Sequence, residues 1–227
     1  METNQQSNGS ADSDTRENRL AAARQQLMQH VTRYRLSTLE IVRHAIFNGD
    51  SQREAHAVVN RLVQAGRLHR HRLGSASYFS RDKQPFSSNE AERAYRIACF
   101  CCLNARREQL LAPGRLRKLE LPVVPSYLED GQRLVWIKSG TEHPGRGYAD
   151  LQQVLSMIQQ WVEDEAFRGM SHFAAKDRFG IAFLMAHARQ AAELGRWLDR
   201  RPVLSPLQQP PVRIPVAVHV VPSLLGP

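Results

Sequence analysis

The chain has 227 residues, 42% of them hydrophobic and 23% charged, with 31 Lys and Arg against 22 Asp and Glu for a formal net charge of +9. That length supports one large domain or two small ones, each able to bury a core, and the basic excess points to an anionic partner, most often nucleic acid. No apolar run approaches the roughly 20 residues that span a bilayer, and the opening METNQQSNGSADSDTREN has neither the basic nor the apolar region of a signal peptide, so the expectation is a cytoplasmic protein outside the membrane-spanning classes.

The charge is unevenly placed. Residues 19–83 hold twelve Lys and Arg against four Asp and Glu, a surplus of +8, whereas residues 1–18 carry −3 and residues 84–227 carry +4. Residues 1–17 are polar and lack large apolar side chains, so they cannot offset the entropy of ordering and are expected to form a disordered tail. From Asn18, Leu20, Ala23, Leu27 and Val31 recur at helical spacing and predict a first helix ending near Tyr34. Ser37 or Thr38 can cap a short helix carrying Leu39, Ile41, Val42, Ala45 and Ile46, which Asn48 and Gly49 stop. Asp50 or Ser51 can cap the next one, with Glu54 placed for a capping box. Ala55, Val58, Val59, Leu62 and Val63 form its buried stripe, and Ala65-Gly66 ends it. The opposite face presents Gln52, Arg53, His56, Asn60 and Arg61, residue types that hydrogen-bond base edges and phosphates. Two extended pieces follow around Gly74-Ser75, with Leu68, Leu73, Tyr78 and Phe79 as their apolar positions.

Helix, short helix, longer helix and basic hairpin is an order that resembles the winged helix-turn-helix family over residues 19–82, and NRLVQAGRLHRHR…SYFS resembles its passage from recognition helix to wing. The resemblance implies double-stranded DNA as partner, with the third helix in the major groove and the hairpin along the backbone or in the minor groove. Carried onto this chain, Arg53, His56 and Asn60 become base readers and Arg61, Arg70 and Arg72 phosphate contacts, with Gln52 and His71 completing the expected DNA-contacting set. His69 and His71 lack a neighbouring Cys or acid to complete a metal site and are read as surface histidines.

A second domain is expected over residues 88–227. A helix of about twenty residues starts at Ser88, with Ala94, Ile97, Ala98, Cys101 and Cys102 on its inner face, and closes at Pro113-Gly114. Its three cysteines, Cys99, Cys101 and Cys102, are read as a reduced, mostly buried cluster. Extended segments are expected at Leu116–Leu119, Val123–Leu128 and Leu134–Lys138. After them come a helix from Tyr148 to Phe167, a strand in GIAFLMAHA, a helix in ARQAAELGRWLDRR and a final strand in VRIPVAVHVV. The sum is α-β-β-β-α-β-α-β around a mixed sheet, so that the chain as a whole is expected to be α+β or α/β.

That succession resembles the PD-(D/E)xK nuclease fold, and its pairing with an upstream winged helix resembles the replication-relaxation family of plasmids and conjugative elements. In that nuclease family one core strand brings an Asp, often after Pro, and the next brings an acid, one residue and a Lys. Two carboxylates share a divalent ion that activates water, and the lysine orients it or stabilises the phosphorane. Here Ser126 follows Pro125, and Trp136-Ile137-Lys138 stands where acid-x-Lys belongs, so that Lys138 alone of the vestigial positions Ser126, Trp136 and Lys138 keeps its type. An indole cannot ligate Mg²⁺, and a neutral hydroxyl is a poor substitute for a carboxylate. Glu142, then Glu120, are the acids that could have migrated, and Lys138 is either a leftover strand-end cation on the surface or, alongside Arg146, a phosphate contact.

The expected function is therefore a non-catalytic, sequence-specific DNA-binding protein. It would act as a transcriptional regulator or as a replication or transfer accessory factor of a mobile element. No cofactor or metal is expected, and the second domain would form a homodimer or meet another protein. A metal-dependent endonuclease with migrated acids is the alternative. A protein-binding assembly subunit is a third reading.

Overall fold

The computed structural model describes residues 8–103, 110–123, 126–130, 133–140, 147–200 and 213–225. The architecture is mixed α+β with two sheets. The chain divides into two compact units, Met1–Ala94 and Tyr95–Pro227, and the division falls inside one helix. Pro125, Glu142, Arg146 and residues 201–212 lie outside the described residues.

In the first unit α1 (Asn8–Tyr34) is followed by the two-residue strand β1 (Leu36–Ser37), α2 (Leu39–Phe47), α3 (Gln52–Gln64), β2 (His69–Leu73) and β3 (Ala76–Ser80). α1 begins ten residues before the expected Asn18, so residues 8–17 are helical where a disordered tail was expected. Once a helix is nucleated, each added residue gains a hydrogen bond for the freedom it loses. Arg24 also holds Glu17 at 3.0 Å across two turns. Of the two offered caps, Thr38 takes the start of α2, its Oγ1 accepting from Ile41 N at 3.3 Å. Asn48 ends α2 in the left-handed region at φ 53°. Ser51 caps α3 by accepting from Glu54 N at 3.3 Å. The Glu54 carboxylate, expected to close a capping box, meets the Arg19 guanidinium on α1.

One face each of α1, α2 and α3 forms the core of this unit. Ala23, Leu27 and Val31 pack with Val42 and with Ala55, Val58, Val59 and Leu62, and Leu68 and Phe79 close the cluster from the hairpin side. Full burial of each larger side chain contributes about 1.5–3 kcal/mol, which outweighs the intrinsic reluctance of two adjacent β-branched residues, Val58 and Val59, to be helical. The sheet has the order β1-β3-β2 and is antiparallel throughout. Leu73 pairs with Ala76 across the two-residue turn, where Gly74 takes φ 58°. A side chain at Gly74 would oppose that conformation.

In the second unit the order is α4 (Ser88–Cys102), which begins in the first, then α5 (Pro113–Lys118), β4 (Ser126–Asp130), β5 (Arg133–Ser139), α6 (Gly147–Glu163), a 3₁₀ turn (Glu165–Phe167), α7 (Arg168–Ala175), β6 (Phe179–Met185), α8 (Ala188–Arg200) and β7 (Val216–Val220). The segment Leu116–Leu119, expected to be extended, instead belongs to helix α5 and the turn after it. Pro113 is already set for the first helical turn, and the Arg, Leu and Lys that follow are good helix formers. A four-stranded sheet results, ordered β4-β5-β6-β7, in which β4 and β5 are antiparallel and the later neighbours parallel.

Alternate residues of these strands supply one core: Tyr127, Leu134, Trp136, Phe179, Ile181, Phe183 and Met185 from the sheet, with Val154, Ile158, Met170, Ala174, Leu194 and Leu198 from α6, α7 and α8. The opposite face meets α4, where Phe100 lies 4.8 Å from the His219 ring and Arg96 donates to Gly140 O at 2.9 Å. Cys99 and Cys101 are buried and Cys102 half-buried, and none of the three is in a disulfide among the described residues. At Gly169 the start of α7 comes so near the end of α5 that a Cβ would fall on the Leu119 carbonyl.

Candidate nucleic-acid interface

The helical period that buries one face of α3 exposes Gln52, Arg53, His56, Asn60 and Arg61 on the other. Glu54, the only acid in α3, is 9% exposed and turned to α1. The hydrogen bond from Arg19, joined by one from Ser51, holds its carboxyl below the usual carboxylate range against the opposing effect of burial. The outward face of α3 therefore presents cationic and amide groups with no carboxylate among them.

Strand β2 continues this surface by alternation. In His69-Arg70-His71-Arg72 the two arginines are exposed, whereas His69 is half-buried and His71 buried. Expected on the surface in contact with DNA, His71 instead turns inward. Its Nε2 lies 3.1 Å from Ser80 Oγ and 3.0 Å from Asp82 O, and its ring sits 5.1 Å from that of Tyr78. In an antiparallel pair neighbouring side chains take opposite faces, so the faces that expose Arg70 and Arg72 cannot also expose His71. His71 is a structural residue of the hairpin.

Arg70 does not stand alone on its strand. Its Nη2 donates to Asn60 Oδ1 at 3.1 Å, and its Cζ lies 5.4 Å from the centroid of Phe79, its cross-strand partner. Two residues assigned separate tasks by sequence are thus joined, and the exposed face of α3 continues onto β2 through Arg70. Arg67, exposed in the turn between α3 and β2, was passed over in the sequence because it falls in the helix stop and belongs to neither periodic pattern. Its signal was the run of basic residues alone.

In the second unit the residues expected at a degenerate nuclease site are placed by the β4–β5 register, in which Ser126 pairs with Ile137 and Tyr127 with Trp136. Trp136 is 2% exposed, with its ring 5.1 Å from Trp161 and 6.4 Å from Tyr127. It is a core residue. Ser126 and Lys138 are half-buried, and Glu129 pairs with Arg115 at 3.6 Å. Glu120 lies in the turn after α5, away from any strand, at φ 52°. Glu142 and Arg146 lie outside the described residues. Among the described residues no three His, Cys, Asp or Glu side chains come together as a metal site, and no helix is long and apolar enough to cross a membrane.

Burial also shifts two groups away from these faces. The His30 imidazole, enclosed in α1 and facing the charge of Arg33, is lowered from 6.5 to about 4. The Tyr127 phenol is raised by desolvation, and its hydroxyl has no hydrogen-bond partner among the described residues.

No family model matches the chain, and neither does any curated protein or solved structure.

Proposed function

We propose that the chain is a non-catalytic, sequence-specific double-stranded DNA-binding protein whose first unit works as a winged helix-turn-helix module. The observation that carries this reading is the outward face of α3. Its only acid is withdrawn to Arg19, and Arg53, His56, Asn60 and Arg61 are exposed beside the arginines of the hairpin. Such a face offers hydrogen-bond donors and positive charge at helical spacing, which is what base edges and phosphates in a major groove require. α3 is then the recognition helix and the β2–β3 hairpin the wing. Arg53 and His56 read bases, and Arg61 and Arg72 hold phosphates.

The second unit serves in this reading as a degenerate PD-(D/E)xK-like platform for a second copy or another protein. Its support is the mixed sheet and the core packing of Trp136, which leaves no carboxylate at that strand position. The biological role is that of a transcriptional regulator, or of an accessory factor in the replication or transfer of a mobile element. A titration of full-length protein against labelled duplex at two salt concentrations, with and without Mg²⁺, tests it. A shift that weakens with salt and leaves the DNA intact is expected, log K falling with log[salt] at a slope near −0.9 per phosphate contacted. Metal-dependent cutting would replace this reading with the endonuclease one, and no salt-sensitive shift would remove DNA as the partner.

A further inference from the structure

We propose that Asn60 and Arg70 form a single reading head that presents chiefly hydrogen-bond donors to the DNA, and that it takes the N7/O6 acceptor edge of a guanine. The proposal rests on the DNA-binding reading above and names the base class that this part of the surface selects.

The argument begins with how Arg70 is held. It leaves β2 opposite Phe79, which is 4% exposed and packed in the core with Leu62 and Leu68. A guanidinium near the ring of such an anchored residue gains a cation–π attraction, and the Cζ stands 5.4 Å from the centroid. The second hold comes from another element, with Arg70 Nη2 donating to Asn60 Oδ1 at 3.1 Å. An exposed arginine ordinarily loses side-chain freedom on binding, whereas one fixed at two points has lost part of it beforehand. Asn60 is thereby a positioning residue for Arg70.

The same bond fixes what Asn60 can offer. A guanidinium has donors and no acceptor, so the amide must turn its oxygen, not its nitrogen, toward Arg70. Bidentate adenine recognition by Asn uses the amide oxygen as acceptor for N6–H and the amide nitrogen as donor to N7. Oδ1 keeps a second lone pair, but its direction is set by Arg70, so the groups the pair turns to the groove are chiefly the Nδ2 hydrogens of Asn60 and the remaining N–H groups of Arg70. The complement of a cationic surface of donors is an edge of acceptors, and among bases in the major groove guanine presents two side by side. A phosphate oxygen has the same acceptor chemistry, which an experiment can separate because phosphate contacts are blind to sequence and change the salt slope.

The test selects full-length protein on a pool of duplexes with a randomised centre and sequences what is bound. Wild type is compared with Asn60→Ala, Arg70→Ala, the double variant and Arg70→Lys, and affinity is measured at two salt concentrations. Wild type is expected to enrich guanine at one position. Each single alanine variant should lose about tenfold or more in affinity for the selected site while keeping its preferences elsewhere. The double variant should be little weaker than the weaker single one, and Arg70→Lys should keep sequence-blind binding but lose the guanine. Independent, multiplicative effects of the two alanine changes would overturn the proposal, as would adenine at the position that Asn60→Ala relaxes. Equal weakening of every sequence with a shallower salt slope would assign Arg70 to a phosphate and overturn it too. Wild type that selects nothing and shows no salt-sensitive binding would overturn the DNA reading itself, a result distinguishable from each of the others.

Discussion

His30 should make the first unit lose stability on mild acidification. The imidazole is 9% exposed within α1, tilted against Tyr34 at 4.6 Å, and its Nε2 has no hydrogen-bond partner among the described residues. Desolvation, and then the charge of Arg33, lower it from 6.5 to about 4. A group whose folded value is depressed contributes its stability in full above the unfolded value and loses it as pH falls toward the folded one. The window therefore opens near pH 6.5 and closes near pH 4. At pH 5 the unfolded chain holds the proton in most molecules and the folded chain in few, a difference of about 1.5 log units in binding, or about 2 kcal/mol relative to pH 7.5. Hydrogen exchange of the α1 and α3 amides at the two pH values reads this directly, with His30→Phe as the comparison. The wild type should lose about 2 kcal/mol more than the variant between pH 7.5 and 5. Trp136, Trp161 and Trp197 all lie in the second unit, so tryptophan fluorescence supplies an internal control. Equal pH dependence in wild type and His30→Phe would refute the assignment.

Three further outcomes follow from the packing and the surface. Tyr127→Phe removes a buried hydroxyl that has no hydrogen-bond partner among the described residues, and should leave the second unit as stable or up to about 1 kcal/mol more so. A loss above about 1 kcal/mol in fluorescence-monitored denaturation would mean that the hydroxyl is bonded after all. Gly169→Ala places a methyl group on the Leu119 carbonyl, which cannot step aside as a flexible side chain would, and should destabilise the second unit by about 1–3 kcal/mol. An unchanged denaturation midpoint would show that α5 and α7 do not approach so closely. Arg72→Ala should weaken all duplexes alike and make the salt slope shallower by about 0.9. A change in preferred sequence would remove Arg72 from the phosphate-contacting set.

The first unit was more legible than the second, and the reasons are physical. Leu27, Val58 and Leu62 sit on stripes set by the helical period, and every one of them is buried in the common core. Thr38, Asn48 and Ser51 mark ends through hydrogen bonds made within a few residues, which a sequence displays directly. β1 has no signature in the sequence because two residues carry no alternation, and its strand state comes from pairing with Ser80 and Phe79 far along the chain. In the second unit Leu116 and Leu119 supplied apolar residues without a decisive period, and the Pro113 start signal outweighed them. The helix α7 was hidden between two stronger patterns. Its place depends on a close approach at Gly169 to a carbonyl some fifty positions earlier, which no local pattern records.

The candidate site divides along the same line between period and pairing. That α3 would expose Arg53, His56 and Asn60 together follows from 3.6 residues per turn, because Val58, Val59 and Leu62 must face the other way. The alternation of His69-Arg70-His71-Arg72 is equally clear: histidines and arginines take opposite faces of β2, so both kinds cannot be surface residues of one face. Which set turns inward is decided elsewhere: an imidazole fits beside Tyr78, Ser80 and the Asp82 carbonyl, whereas an arginine on that side would bury its permanent charge. Alternation puts Arg70 on the face opposite His71, the face it shares with its cross-strand partner Phe79, and that face lies against α3, within reach of Asn60. The contact between Asn60 and Arg70 thus arises from two choices made for packing, the face that α3 buries and the register of β2 on β3.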